Sequence, residues 1–196
     1  EAATIGGTIS AADANSVANV TSGNVTANLT AGAAATVETA LANAVGTDIL
    51  TVNITDTSVD ATVLKDLDAK TSVNLVDGNT IATLTGTTVA DFVTVLTAAA
   101  TAGLAGTEAA TIGGTISAAD ANSVATVTSG IVTAAVTTGT AAALNGALGN
   151  AVAGDLLTLT TAAGTDDISS LVALNGKTGI AVVATATNTI TDTTNI

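Results

Sequence analysis

Sixteen acidic side chains and three lysines (Lys65, Lys70 and Lys177) carry all the charge of this 196-residue chain, with no His, Cys or Tyr beside them. Nucleophile–imidazole pairs cannot form without His. Disulfides and thiolate metal sites cannot form without Cys. What remains is carboxylate chemistry. Two acids in a cleft could hydrolyse a glycoside, and a shell of about six to eight oxygens could hold calcium. Four acids have a simpler use. Asp13, Asp60, Asp91 and Asp120 each lie three residues after a Ser or Thr (Ser10, Thr57, Thr88 and Ser117). That is close to capping-box spacing, so each is expected to open a helix. Of the acids outside that spacing, Asp48, Asp155, Asp166 and Asp167 are the candidate calcium ligands, at module junctions. Their surroundings form no EF-hand loop and no calcium-binding nonapeptide. A solvated acidic surface is the plainer expectation for them.

Asn19, Asn24, Asn28 and Asn53 begin N-x-[ST] sequons and are the candidate glycan sites. A Thr-rich chain also generates such triplets by chance. Lys70 and Lys177 follow helix-like stretches, where a cation suits the negative helix end.

The net charge is −13. Phosphate binding rests on clustered Lys and Arg, so nucleic acid is excluded as a partner. No run of about 18 apolar residues occurs, so no membrane-inserted helix is expected. With one aromatic residue, Phe92, and no Met, Trp or Pro, any core must be built from Ala, Val, Ile and Leu. Small side chains bury little area per layer, so stability must come from many similar layers.

The elements that position these residues repeat. Glu1–Gly32 returns as Glu108–Gly139 with five of 32 positions changed: Asn19/Thr126, Asn24/Ile131, Asn28/Ala135, Leu29/Val136 and Ala31/Thr138. The repeat, with a period of 107 residues, runs ungapped to Val76/Val183. It predicts two tandem units, 1–107 and 108–196, the second stopping inside its fourth module. Such a stop is expected of a piece of a longer protein. All four sequons are lost in the second copy, where Thr126, Ile131, Ala135 and Thr160 stand instead.

Within a unit the hydrophobic period alternates between two and 3.6. Strands are predicted at Thr4–Ser10, Asn24–Thr30, Ile49–Thr55, Val73–Val76 and the TIATLTG run, with a turn at Asp77–Asn79. Helical stripes follow: Val37, Ala40, Leu41, Ala44 and Val45; Ala61, Leu64 and Leu67; Val89, Phe92, Val93 and Leu96. Four modules in 107 residues average about 27 residues each. Strand–helix units of that size require parallel strands joined by helical crossovers. The predicted fold class is α/β, a repetitive strand–helix solenoid with a parallel sheet. Two separate compact α/β domains, or a β-helix with helical decorations, are the alternatives. Outward Thr8, Thr26, Asn28, Thr51 and Asn53 would make a Thr/Asn face suited to lateral contact.

The phrases TISAADANSVA, LDAKTSVNLV and LNGKTGIAVV resemble repeats of very large secreted bacterial surface proteins, including cyanobacterial ones. That resemblance implies an extracellular, non-enzymatic role in a surface layer, filament or adhesin stalk, with self as partner. It implies no cofactor. A module holding calcium or glycan is the alternative.

Overall fold

The computed structural model describes residues 1–78, 80–184 and 189–192. The predicted turn at Asp77–Asn79 and the last segment, Asn188–Ile196, thus fall partly outside the described residues.

Two compact units are distinguished, Glu1–Glu108 and Ala109–Ile196. The first contains β1 (Ala3–Ile9), α1 (Ala11–Val20), β2 (Val25–Leu29), α2 (Ala34–Ala40), β3 (Ile49–Thr51), β4 (Ser58–Asp60), α3 (Ala61–Asp68), β5 (Thr83–Gly86) and α4 (Val89–Thr97). The second contains β6 (Ala109–Ile116), α5 (Ala118–Val127), β7 (Val132–Val136), α6 (Ala141–Ala147), β8 (Leu156–Thr158), β9 (Thr160–Thr161), β10 (Thr165–Asp167), α7 (Ile168–Asn175), β11 (Val183–Ala184) and β12 (Thr189–Thr191). The class is α/β with parallel sheets.

Strand pairing within each unit is parallel and short-stepped. β1 pairs with β2, placing residue 3 opposite 25, and β2 with β3, placing 26 opposite 49: steps of 22 and 23 residues. β4 pairs with β5, with residue 58 opposite 83, a step of 25. In the second unit 110 faces 132, 133 faces 156, 160 faces 183 and 165 faces 189. These steps are shorter than the expected 27. The excess sits in the stretch after Val76, where the predicted TIATLTG strand begins only at Thr83. Val73–Val76 contributes only a bridge, Val76 opposite Asn53.

The steps also contain second strands that periodicity did not predict. β4 and β10 each run straight into a helix. Three residues are too few to show an alternation. Consecutive helices are neighbours: α1 with α2, α2 with α3 and α3 with α4, then α5 with α6 and α6 with α7.

The core follows the predicted alternation on the inner strands. Val25, Ala27 and Leu29 are buried, as are Leu50, Val52 and Ile54. Helices close over them with Val37, Leu41, Leu64, Leu67, Phe92 and Leu96. Two stripes need correction. α2 stops at Ala40, so Val45 lies beyond it and is 56% exposed. On α4 Val95 is buried, while Val89 and Val93 are only half-buried.

β1 is not a plain alternating strand. Thr4 pairs with Thr26 and Thr8 with Asn28, so β1 spends two more residues than β2 over the same span. β6 does the same between Thr111 and Thr115. This is a bulge. Gly7 and Gly114 turn it at φ 81° and 79°, a region other residues rarely adopt. The bulge sets the outer rows. Thr8, Asn28 and Thr51 align in one, and Thr4, Thr26 and Ile49 in the next. The expected Thr/Asn face is therefore interrupted by an isoleucine, and in the second unit by Ala135 and Leu156.

Candidate functional site

Four acids of this chain, Asp48, Asp56, Asp155 and Asp166, are spent on backbone amides one step away. Asp48 is the clearest case. Its Oδ1 accepts from Val25 N–H at 2.7 Å and its Oδ2 from Val45 N–H at 2.9 Å. The residue is 2% exposed. A buried carboxylate is tolerable only when such donors replace water. Asp155 repeats the arrangement on Val132 and Val152 at 2.8 and 3.0 Å. Each clamp fixes the start of a strand and the loop after a helix together.

The partner of the clamp is a threonine. Thr71 Oγ1 lies 3.0 Å from Leu50 N and 2.9 Å from Leu50 O, and 3.3 Å from Asp48 O. Thr178 does the same for Leu157 and Asp155. Asn15 and Asn122 hold the loop from the helix side. Their Oδ1 atoms accept from Asn43 N–H and Asn150 N–H, each at 2.6 Å.

Helix starts are capped in two ways. Ser10 and Ser117 cap α1 and α5 as expected, each accepting from the N–H of the acid three residues on. Their hydroxyls donate back to Asp13 and Asp120 at 2.7 Å. The expected Thr57/Asp60 and Thr88/Asp91 pairs do not form. Asp60 is itself the cap of α3, accepting from Thr62 N–H at 2.8 Å. Thr88 makes no side-chain cap. α2 has no local cap, because Ala33 precedes it; Asp56 accepts from Ala34 N–H instead, at 2.6 Å. In the second unit Asp166 takes the equivalent Ala141 N–H at 2.9 Å. The two acids are not equivalent in sequence, yet they do the same task.

The four candidate calcium ligands are thus placed individually. Asp48 and Asp155 are clamps, Asp166 reaches the start of α6, and Asp167 caps α7 through Ser169 N–H at 2.8 Å. Among the described residues no three acidic side chains converge as a metal site. Of the sequon residues, Asn19 on α1, Asn24 before β2 and Asn28 on β2 are exposed, while Asn53 is half-buried. The structure does not gather them. Lys177 Nζ donates to Gly149 O at 3.2 Å, just beyond the neighbouring α6, and not to the end of α7, the helix it follows. Lys70 instead faces Glu38 at 3.9 Å.

Asp91 carries a different link. Its carboxylate accepts from Lys65 Nζ and from Thr62 Oγ1, both at 2.7 Å. The hydrogen bond from Lys65, then that from Thr62, hold the Asp91 carboxyl below the usual carboxylate range. The hydrogen bond to Asp91 chiefly raises Lys65. Burial raises Asp68. The signs follow from linkage. Asp91 contributes stability that is present above the unfolded carboxylate range and lost as pH falls through its folded value. Asp68, being raised, works the other way and opposes folding once ionised. Asp91→Asn is therefore expected to destabilise the protein at neutral pH and to cost progressively less in acid. Urea unfolding of both proteins at pH 7 and pH 3 checks this. A penalty equal at the two pH values would contradict it.

Beside the clamps lies a cleft that occurs once in each unit. In the first it has a volume of about 240 Å³ between the turn after α1 and the loop after α2. In the second it has about 260 Å³, between the turn after α5 and the loop after α6. Thr21, Ser22 and Gly23 form one wall and Asn43 and Val45 the other. Thr128, Ser129, Gly130, Asn150 and Val152 repeat them.

Neither clamps nor cleft were legible from spacing. Their partners lie 21 to 28 residues apart, a distance that means nothing until the step is known. The available signal was retention at matched positions of the two copies, Asn15/Asn122, Asn43/Asn150, Asp48/Asp155 and the pairs Lys70-Thr71 and Lys177-Thr178. Comparison with protein-family models, curated proteins and solved structures returned no match.

Proposed function

We propose that the chain is a non-enzymatic structural repeat of a bacterial cell-surface protein, folded as a solenoid and contributing to an extracellular filament, fibre or layer by self-association. The observation that supports this reading is the step itself. Parallel strands recur every 22 to 25 residues, and polar side chains of one step bind backbone amides of its neighbour. A chain so arranged lengthens by adding steps without redesign.

Strand β1 stands at one end of the order β1-β2-β3. The proposal gives its other side to further steps or to another copy, which a non-closing contact would extend into a fibre. The absence of His, Cys and Tyr from the sequence favours a mechanical over a catalytic role. The resemblance to secreted surface repeats supports the location.

Electron microscopy across rising protein concentration tests the assembly. Filaments or sheets are expected, and oriented filaments should diffract at about 4.8 Å along the strand-stacking direction. Monomers at every concentration would rule out self-association by this chain.

A further inference from the structure

We propose that the cleft present in each unit binds one sugar residue of a neutral polysaccharide. The first ground is what changes between copies and what does not. Over Ala42–Thr47 the exposed positions differ or stay: Ala42, Gly46 and Thr47 become Gly149, Ala153 and Gly154, whereas Asn43 remains Asn150; of the first cleft's own lining, Asn24 and Thr47 change, to Ile131 and Gly154, and the rest is kept. Val45 likewise remains Val152, although the two are 56% and 58% exposed. A valine that is more than half in water gains little from burial in its own fold. Its retention beside a cleft, among neighbours that drift, points to a contact made outside the fold.

The second ground is rigidity. Asn15 holds the Asn43 amide at 2.6 Å and Asp48 holds the Val45 amide at 2.9 Å. Asn122 and Asp155 hold Asn150 and Val152 in the same way. The cleft wall is fixed before a ligand arrives, which lowers the ordering cost of binding.

The lining chooses the ligand class by elimination. No lysine borders either cleft, and the one ammonium nearby, that of Glu1, donates to Ser22 Oγ at 3.2 Å in the first cleft alone, so the two clefts share no counter-charge for an anion. The nearest acids, Asp48 and Asp155, already place both oxygens on amides, so cations find no free carboxylate. No aromatic ring is available to stack a flat ligand. What the lining offers is hydroxyl, carboxamide and methyl groups. Ser22 and Asn43 suit sugar hydroxyls, and Val45 with Ala18 suits the apolar face of a pyranose or an acetamido methyl. The volume is below the roughly 300 Å³ at which drug-sized pockets begin, so it fits one sugar residue. One site per unit, repeated along a chain, matches a polymer of repeating sugars and gains from multivalency. This inference does not depend on self-association.

The test is an NMR amide titration of the full chain with two neutral probes, the hexasaccharides of β-1,4-linked N-acetylglucosamine and of α-1,4-linked glucose. Saturable shifts are expected for residues 21–24 and 43–48 and for 128–131 and 150–155, with Kd on the order of 1 mM for at least one probe. The double variants Asn43→Ala/Asn150→Ala and Val45→Asp/Val152→Asp should weaken binding by about tenfold or more, a factor that corresponds to one lost contact. Far-ultraviolet circular dichroism and melting show which variant keeps the fold, and affinity is compared with the parent in that variant. No saturable shift with either probe, shifts confined to other residues, or a folded variant that binds as the parent does would overturn the proposal. Filaments seen without any sugar shift would sink this inference and leave the structural role intact.

Discussion

Replacing Asp48 by alanine is expected to lower the unfolding free energy by about 3–5 kcal/mol. The buried Val25 amide and the part-buried Val45 amide would lose their acceptor together. Each orphaned buried donor costs about 1–3 kcal/mol, and the lost bonds are charge-assisted, which favours the upper part of that range. Asp48→Asn should cost less, since one oxygen remains while the amide nitrogen meets a donor. Asp155→Ala is expected to match Asp48→Ala, because the geometry is the same. Urea denaturation measures all three. Hydrogen exchange adds a local reading, with the Val25 and Val45 amides losing protection in the first variant and Val132 and Val152 in the second. An Asp48→Ala protein with an unchanged unfolding midpoint would show that the clamp does not contribute to stability.

The second large effect is expected at Phe92. It is the one aromatic residue of the chain, and it is fully buried on α4. Truncating a buried Phe to Ala typically costs about 3–5 kcal/mol, part transfer and part cavity. The cavity term should be near its upper end. Every other core residue is Ala, Val, Ile or Leu, and neighbours this short cannot swing in to fill the space. Gly86 lies against the ring, and a Cβ there would come within 3.4 Å of Phe92. Phe92→Leu is the control, expected to recover most of the loss in thermal melts. A Phe92→Ala protein within about 1 kcal/mol of the parent would mean that the site collapses freely.

These two residues show what could be read from sequence and what could not. Phe92 was legible, because α4 carries an apolar stripe at helical spacing and the ring falls on it. Ser10 and Ser117 were legible too, since their partners are three residues away. The alternation of β2 and β3 gave the inner row directly. Asp48 was not legible. As an acid between Thr47 and Ile49 it looks like any solvated loop residue, and its partner Val25 is 23 residues back. Asp56 and Asp166 make the point sharper, since the same helix start is served from unequal positions in the two copies. The cleft needs a turn and a loop about 20 residues apart to meet and carries no motif. The end of α2 was misread for a related reason. Ala44 and Val45 continue the helical period, but Asp48 draws the Val45 amide out of it.

The distance along the chain between linked residues has a consequence for how such a protein forms. Side-chain hydrogen bonds between neighbouring elements span from 20 to 29 residues, whichever unit they occur in. Each closes a loop of nearly constant length, so each costs nearly the same chain entropy. Lengthening the chain adds such loops without making any of them longer. Mean contact separation therefore stays fixed while the protein grows, and relative contact order falls. A step can settle as soon as about 25 further residues have emerged, with its predecessor as template. A chain of any length would then fold in the order in which it is delivered, at a rate set by one step rather than by its size.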